Sequence, residues 1–169
     1  MLPDPAIKRA IVPTAEPYFA GLHHALDVVA REKRFLALLH APPLAESLAF
    51  YRRIVTNDLC QFVALEGGDV VGWCDILPAV GESRAHVGHL GIGLIPRARG
   101  MGFGARLLEA TLAKAFAKGI TRVELTVRAD NDNAKALYER FGFATEGLQH
   151  RCFLVDGRYH NAFAMALLR

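Results

Sequence analysis

The sequence predicts an α/β (α+β) fold, a mixed, largely antiparallel central sheet of about seven strands with helices on both faces. Three observations predict it. Two turns, Gly67-Gly68-Asp69 and Asp156-Gly157, each join two β-rich runs and so demand antiparallel neighbours. Apolar residues recur at three- and four-residue spacing in other stretches, the mark of amphipathic helices. The resulting order, β, α, α, β, β, β, α, β, α, β, β, puts helices over a sheet that its internal hairpin keeps from being simply doubly wound.

Each element follows from its residues. "IKRAIV", residues 7–12, alternates as a strand, and Thr14, Glu16 and Pro17 then resemble a helix start. Phe19, Leu22, Leu26, Val29 and Ala30 set a helical period that is expected to run from 17 to about 40, where "HAPPLAE" breaks it. Leu44, Leu48, Tyr51 and Val55 give a second helix the same period. "CQFVALEGGDVVGWCDILP" is a hairpin, and "RAHVGHLGIGLIP" is a fourth strand ended by Pro96. A glycine-rich turn opens a long helix to about Lys118, which Gly119 stops. "ITRVELTVRA" is a fifth strand, "NDNAKALYERFG" a short helix, and the remainder two strands around Asp156-Gly157.

The 169 residues are 52% hydrophobic, enough for one domain spanning 1–169 with a core of its own. Twenty Lys and Arg against seventeen Asp and Glu, without clustering, select neither nucleic acid nor a membrane surface as a partner. Cys60, Cys74 and Cys152 have no spacing for a zinc site or a disulfide framework, so no metal is expected and a reducing cytoplasmic setting fits. Cys74 and Cys152 lie in apolar strand contexts and are expected in the core. "MLPDPAIKRA" lacks the apolar run of a signal peptide, and no stretch approaches the ~18 apolar residues of a membrane span, so a soluble protein is expected.

The segment "RARGMGFGARLLEA", 97–110, concentrates the chemistry. A strand giving way to a glycine turn and a helix start gathers unpaired N–H groups and a positive dipole end at one place, which favours an anion. Gly100, Gly102 and Gly104 remove the Cβ atoms that would hold a phosphate off those donors, and Arg97 and Arg99 add positive charge. A pyrophosphate fits; glycines that only permit tight helix-to-sheet packing are the alternative. A P-loop fails because Gly104 is followed by Ala105 and Arg106, and the dinucleotide fingerprint fails because its third glycine comes one residue early. Glu124, about twenty residues on, is set aside as a ribose ligand because it lies mid-strand.

Arg97-x-x-Gly100-x-Gly102, after a strand and opening a helix, resembles the acetyl-CoA motif of the GCN5-related N-acetyltransferase (GNAT) superfamily. Asn131-x-x-Ala134-x-x-Leu137-Tyr138-Glu139-x-x-Gly142-Phe143 resembles that family's second signature, in the right order, and the resemblance covers essentially the whole chain. It implies a sheet whose fourth and fifth strands splay to lodge acetyl-CoA. It also implies that the backbone of Leu94 and Ile95 hydrogen-bonds the pantetheine arm, and that the amides from Arg99 through Gly100, Met101, Gly102 and Phe103 to Gly104 wrap the pyrophosphate. Asn131 would add a side-chain contact, with Ala134 beside it, and Tyr138 would stand at the thioester sulfur.

The implied reaction is acetyl transfer to a primary amine, of a small molecule or a peptide N-terminus, by direct attack in a ternary complex. An alkylamine of pKa about 10.4 is neutral in about one molecule in a few thousand at pH 7, at a cost of roughly 4 to 5 kcal/mol, so a base is needed. Relatives often carry a glutamate on the fourth strand; "HVGHLGIGLI" has none, and His89 or His86 is the candidate base, with Asp75 a third. Thiolate departure is helped by a hydrogen bond from Tyr138, while an apolar helix stripe would equally suit a core tyrosine. Glu32 and Asp75 are candidate sites for a cationic acceptor. A non-catalytic coenzyme A-binding sensor or assembly module is the alternative, motivated by the missing glutamate. The apolar segment "AFAMALL" is either a core strand or a pairing edge for a homodimer.

Overall fold

In a computed structural model, which describes residues 8–169, seven strands join one sheet in the order β1-β2-β3-β4-β5-β7-β6. The strands are β1 (Arg9–Pro13), β2 (Cys60–Glu66), β3 (Asp69–Pro78), β4 (Val87–Leu94), β5 (Arg122–Arg128), β6 (Ala144–Val155) and β7 (Arg158–Leu168). Every neighbouring pair is antiparallel except β4–β5. The first predicted strand begins at Arg9; its Ile7 lies outside the described residues. Gly67 and Gly68 turn the first hairpin and Asp156 with Gly157 the last, all four at positive φ, as tight turns between right-twisted strands require.

Side-chain alternation divides β2 and β3 between two cores. Val63, Leu65, Val70 and Trp73 pack with Phe19, Leu22, Ala25 and Val29 of α1 (Phe19–Arg31) and with Tyr51 of α2 (Leu44–Thr56). Ala64, Val71, Cys74 and Ile76 face the other way, onto Phe103, Leu107, Leu108 and Leu112 of α3 (Phe103–Ala117). The short α4 (Asp132–Arg140) adds Tyr138 to that second core.

Two expectations change and one open alternative is decided. The first helix stops at Arg31 rather than near 40, because Lys33 turns left-handed at φ 56° and the chain then folds back, with Asp27 accepting from the Ala41 amide and Pro42 carbonyl meeting His23 Nε2. On α2 the buried face is Ser47, Tyr51 and Ile54, whereas Leu44 and Val55 are exposed. The segment "AFAMALL" lies within β7, paired on one side to β5 and on the other to β6, so it offers no free edge to a second subunit. Among the described residues no helix is long and apolar enough to cross a membrane.

One topological feature creates the site. β4 and β5 are parallel neighbours over three pairs only, Val87 with Arg122, Gly88 with Val123 and His89 with Glu124. Beyond them β4 continues against β3 alone and β5 against β7 alone, and the sheet splits.

Candidate active site

The split opens into a cleft of about 1050 Å3 walled by β4 and β5 and by the starts of α3 and α4. Phe35, Leu36 and Ala37, from the segment between α1 and α2, close its remaining side. That segment is held by Arg128, buried at the end of β5, whose guanidinium donates to the Lys33 carbonyl at 3.0 Å and to both Asp130 oxygens, and meets His160 Nδ1 at 2.9 Å.

The turn into α3 is the cleft's polar wall. Arg99 N–H is bonded to the Pro96 carbonyl and Arg106 N–H to the Gly102 carbonyl, but for the six amides between them, residues 100–105, the described residues supply no acceptor. Gly100 at φ 72° and Gly102 at φ 84° take the left-handed conformation that keeps this stretch open, and a Cβ at either would meet nothing within 4 Å. Gly104 serves packing instead: a Cβ there would come 3.2 Å from Leu137 of α4. Gly104 thus follows the packing reading, while Gly100 and Gly102 leave the turn open. Six unpaired amides at a helix N-terminus, in a cleft of this volume, fit the pyrophosphate and chain of a coenzyme A thioester.

Pairing parity shows where an extended ligand could add to β4. Ile95 N–H donates to the Val71 carbonyl at 3.0 Å, so in this antiparallel ladder the odd residues face β3 while Ile92 and Leu94 face the split. Both backbone groups of Ile95, expected to meet the pantetheine, are spent on Val71 and Ala98, whereas the Leu94 N–H faces the split. The Leu94 carbonyl accepts from Arg99 Nε at 3.0 Å.

The two arginines of the motif are committed elsewhere. Arg97 reaches back to the hairpin, 2.6 Å from Glu66 Oε2, and does not line the cleft. Arg99 does, but its guanidinium is gripped by both Glu32 carboxylate oxygens and lies 4.7 Å over the Phe35 ring. Glu32, expected to meet a cationic acceptor, is thus neutralised by Arg99. Met101 and Phe103 turn their side chains into the core, leaving only their amides to the turn.

On the opposite wall stand Asn131, Ala134 and Tyr138 of the second motif. Asn131 caps α4, accepting the Ala134 amide with Oδ1, which leaves its NH2 free. The Tyr138 ring packs on Phe143, 5.8 Å between centroids, and burial together with the neighbouring Cys74 thiol pushes its phenol pKa well above the ordinary value. Cys74 itself is fully buried and its thiol is pushed up as well, whereas Cys152, expected in the core, is exposed at an irregularity of β6.

His89 lies on the cleft and His86 does not: His86 is exposed in the turn before β4, its carbonyl accepting from the Thr121 and Arg122 amides. His89 Nδ1 stands 3.5 Å from Glu124 Oε2. Arg122 and Arg84 hold that carboxylate at 2.8 and 3.0 Å, and Arg122 before all keeps its pKa below the usual carboxylate range. An ionised carboxylate beside Nδ1 favours the tautomer with its proton there, which makes Nε2 the ring's acceptor atom. Sequence reasoning missed Glu124 in this role; its signal was the parallel pairing of the fourth and fifth strands, which sets residue 124 beside 89. Asp75 does not line this cleft and faces a separate cavity under α1 and α2.

Comparison with known proteins agrees with this geometry. Residues 30–143 match the model of the acetyltransferase (GNAT) family. An L-amino acid N-acetyltransferase of Escherichia coli is 33% identical over 110 residues, 64% of this chain and 68% of that protein. An N-alpha-acetyltransferase of Mycobacterium tuberculosis is 38% identical over 114 residues, 64% of this chain and 67% of that one. The crystal structure of a GNAT acetyltransferase from Streptococcus pneumoniae superposes with a TM-score of 0.88 at 28% identity, covering 96% of this chain and 100% of that one. With the split sheet, the bare amides after β4 and these matches together, the chain belongs to the acetyltransferase (GNAT) family and is an acetyl-CoA-dependent N-acetyltransferase.

Proposed function

We propose that the chain, as one catalytic domain, transfers acetyl from acetyl-CoA to a primary amine of a small molecule or a peptide N-terminus, by direct attack in a ternary complex. The observation that carries this reading is the row of unpaired amides at 100–105 on one wall of the cleft, with the His89–Glu124 pair and Tyr138 on its other walls. Bound there, acetyl-CoA supplies an activated acetyl thioester. The amides at 100–105 and the α3 dipole hold the pyrophosphate, Ile92 and Leu94 pair with the pantetheine, and the free NH2 of Asn131 donates to it. His89 Nε2 takes the ammonium proton, directly or through one water, while Glu124 steadies the imidazolium. Tyr138 donates a hydrogen bond to the sulfur as negative charge develops; with its pKa pushed up it stays protonated and acts as donor rather than full acid. No acyl-enzyme is needed, since the buried Cys74 is a poor nucleophile.

The absence of a carboxylate on β4, the sequence argument for a non-catalytic coenzyme A module, loses its force because β5 brings Glu124 beside His89. The names of the two relatives, one for amino acids and one for α-amines, support a free α-amine as acceptor. The test is free-thiol release from acetyl-CoA over a panel of amino acids, diamines and peptides, with mass spectrometry of the products. One acetyl gained by one acceptor class per thiol released is expected. Thiol release by none of the panel, with acetyl-CoA bound, would overturn the acceptor class proposed.

A further inference from the structure

The segment after α1, residues 32–43, crosses to the cleft as a strap. It leaves the helix through Lys33, whose φ of 56° is a left-handed conformation that a non-glycine residue keeps only where its surroundings impose it. Two bonds impose it here. The Lys33 carbonyl accepts from Arg128 Nη1 at 3.0 Å, and Lys33 Nζ meets Asp156 Oδ1 of the last hairpin turn at 2.9 Å. Phe35, Leu36 and Ala37 of the cleft wall follow at once, so what holds Lys33 also holds that wall.

Arg128 is buried and its fork is occupied. Nε donates to Asp130 Oδ1 at 3.0 Å, while Nη2 donates to Asp130 Oδ2 at 2.7 Å and to His160 Nδ1 at 2.9 Å. A guanidinium has no acceptor atom, so Nδ1 presents its lone pair and the half-buried imidazole is neutral, with its proton on Nε2. A protonated ring would set N–H against N–H, and positive charge against positive charge, across the same short distance. The two must then part. If Arg128 yields, the Lys33 carbonyl loses its donor; if His160 yields, it disturbs its cross-strand partner Phe153, itself on the cleft wall.

We propose that His160 is a proton-operated clasp on the strap: neutral, it completes the fork that fixes Lys33 and keeps residues 35–37 on the cleft; protonated, it breaks the fork and lets that wall open. The clasp stands on this geometry alone, and only its effect on turnover rests on the acetyl-transfer reading. Grouped around the Arg128–His160 contact are Arg128 from β5, Asp130 from the turn after it, Lys33 with its partner Asp156, and Arg158 on the same face of β7; β6 brings the uncharged Phe153. Three cations face two carboxylates, which leaves no free counter-charge for an imidazolium. The strap's other histidine contacts do not respond to acid in this way. His23 Nε2 and His40 Nδ1 meet the carbonyls of Pro42 and Ala41, which only accept, so these rings donate whether neutral or charged. Asp27, which takes the Ala41 amide, is held below the usual carboxylate range by Arg31 before all, and Asp130 by Arg128 before all, so both stay ionised in mild acid.

Histidine side chains in general change charge between pH 5 and 8, so amide exchange read by mass spectrometry at pH 7.5 and pH 5.5, each corrected for the intrinsic exchange rate, tests the clasp directly. In the parent, protection over residues 32–37 is expected to fall at least threefold at the lower pH while β2 and β3 keep theirs. His160→Asn, whose amide oxygen can accept from Arg128 and takes no proton, should hold strap protection within about twofold at both. His160→Lys, charged at both, should show the open strap throughout, with near-UV circular dichroism checking the fold of each variant. Equal strap protection of the parent at the two pH values would overturn the proposal whether or not the variants fold. So would a loss in His160→Asn as large as the parent's, or a folded His160→Lys as protected as the parent at pH 7.5. In initial-rate kinetics the acceptor KM at pH 5.5 should be higher for the parent than for His160→Asn, while kcat falls alike in both because they share His89. A protein without turnover still returns the exchange result, so failure of the clasp and failure of the acetyl-transfer reading are told apart.

Discussion

Tyr138 puts a protonated phenol on the cleft, and its effect should be confined to chemistry. Tyr138→Phe is expected to lower kcat about 10- to 100-fold while the Kd for acetyl-CoA stays within about twofold, as steady-state rates and calorimetry would show. Unchanged kcat would make the residue a packing partner of Phe143 only. Asp75 gives a pH signature of a different kind. Its pKa is higher folded than unfolded, so between about 4 and 7 the folded state binds more protons and stability falls as pH rises through that window. Asp75→Asn removes this loss, and its melting temperature relative to the parent should climb from pH 4 to pH 7, by roughly 5 °C, and level off above. A difference that is flat with pH would show an Asp75 carboxyl of ordinary acidity. His89 and Tyr138 could be picked out from the sequence because they sit in or beside motifs. Glu124 could not, since its role comes from the strand beside it rather than from its neighbours in the chain.

The turn into α3 and the segment after α1 carry the site as elements. Gly102→Ala would force an L side chain into φ 84°, at about 1 to 2 kcal/mol, and set a methyl group beside the open amides. A melting temperature lower by a few degrees, with acetyl-CoA affinity down at least tenfold, is the expected result; unaltered affinity would mean the ligand does not approach this turn. Arg128→Lys loses the forked grip on Asp130 and the bond to Lys33, so limited proteolysis should cut residues 32–43 faster than in the parent, with the sheet intact. This segment was the part of the fold least legible beforehand. Phe35, Leu36 and Leu39 prolong the helical period past Arg31, yet Phe35 and Leu36 serve the cleft rather than a helix face. The strands and the two hairpins were legible because alternation and turn residues are local signals, and the buried Arg128 was not because its partners lie on three separate stretches of chain.

For the whole molecule, the split of one parallel pair inside an otherwise antiparallel sheet generates the cleft, the exposed strand edge and the convergence of two helix starts at once. The splay of the fourth and fifth strands was legible only as what the family resemblance implies, and the commitment of Arg97 to Glu66 and of Arg99 to Glu32 was not legible at all. Anion binding therefore rests on backbone donors and dipole more than on arginine charge. The most direct measurement is amide hydrogen exchange by NMR at residues 100–105, with and without coenzyme A. The structure predicts fast exchange in the free protein and strong protection on binding at these six amides. Saturating coenzyme A that protects other regions while these amides exchange as before would contradict the account.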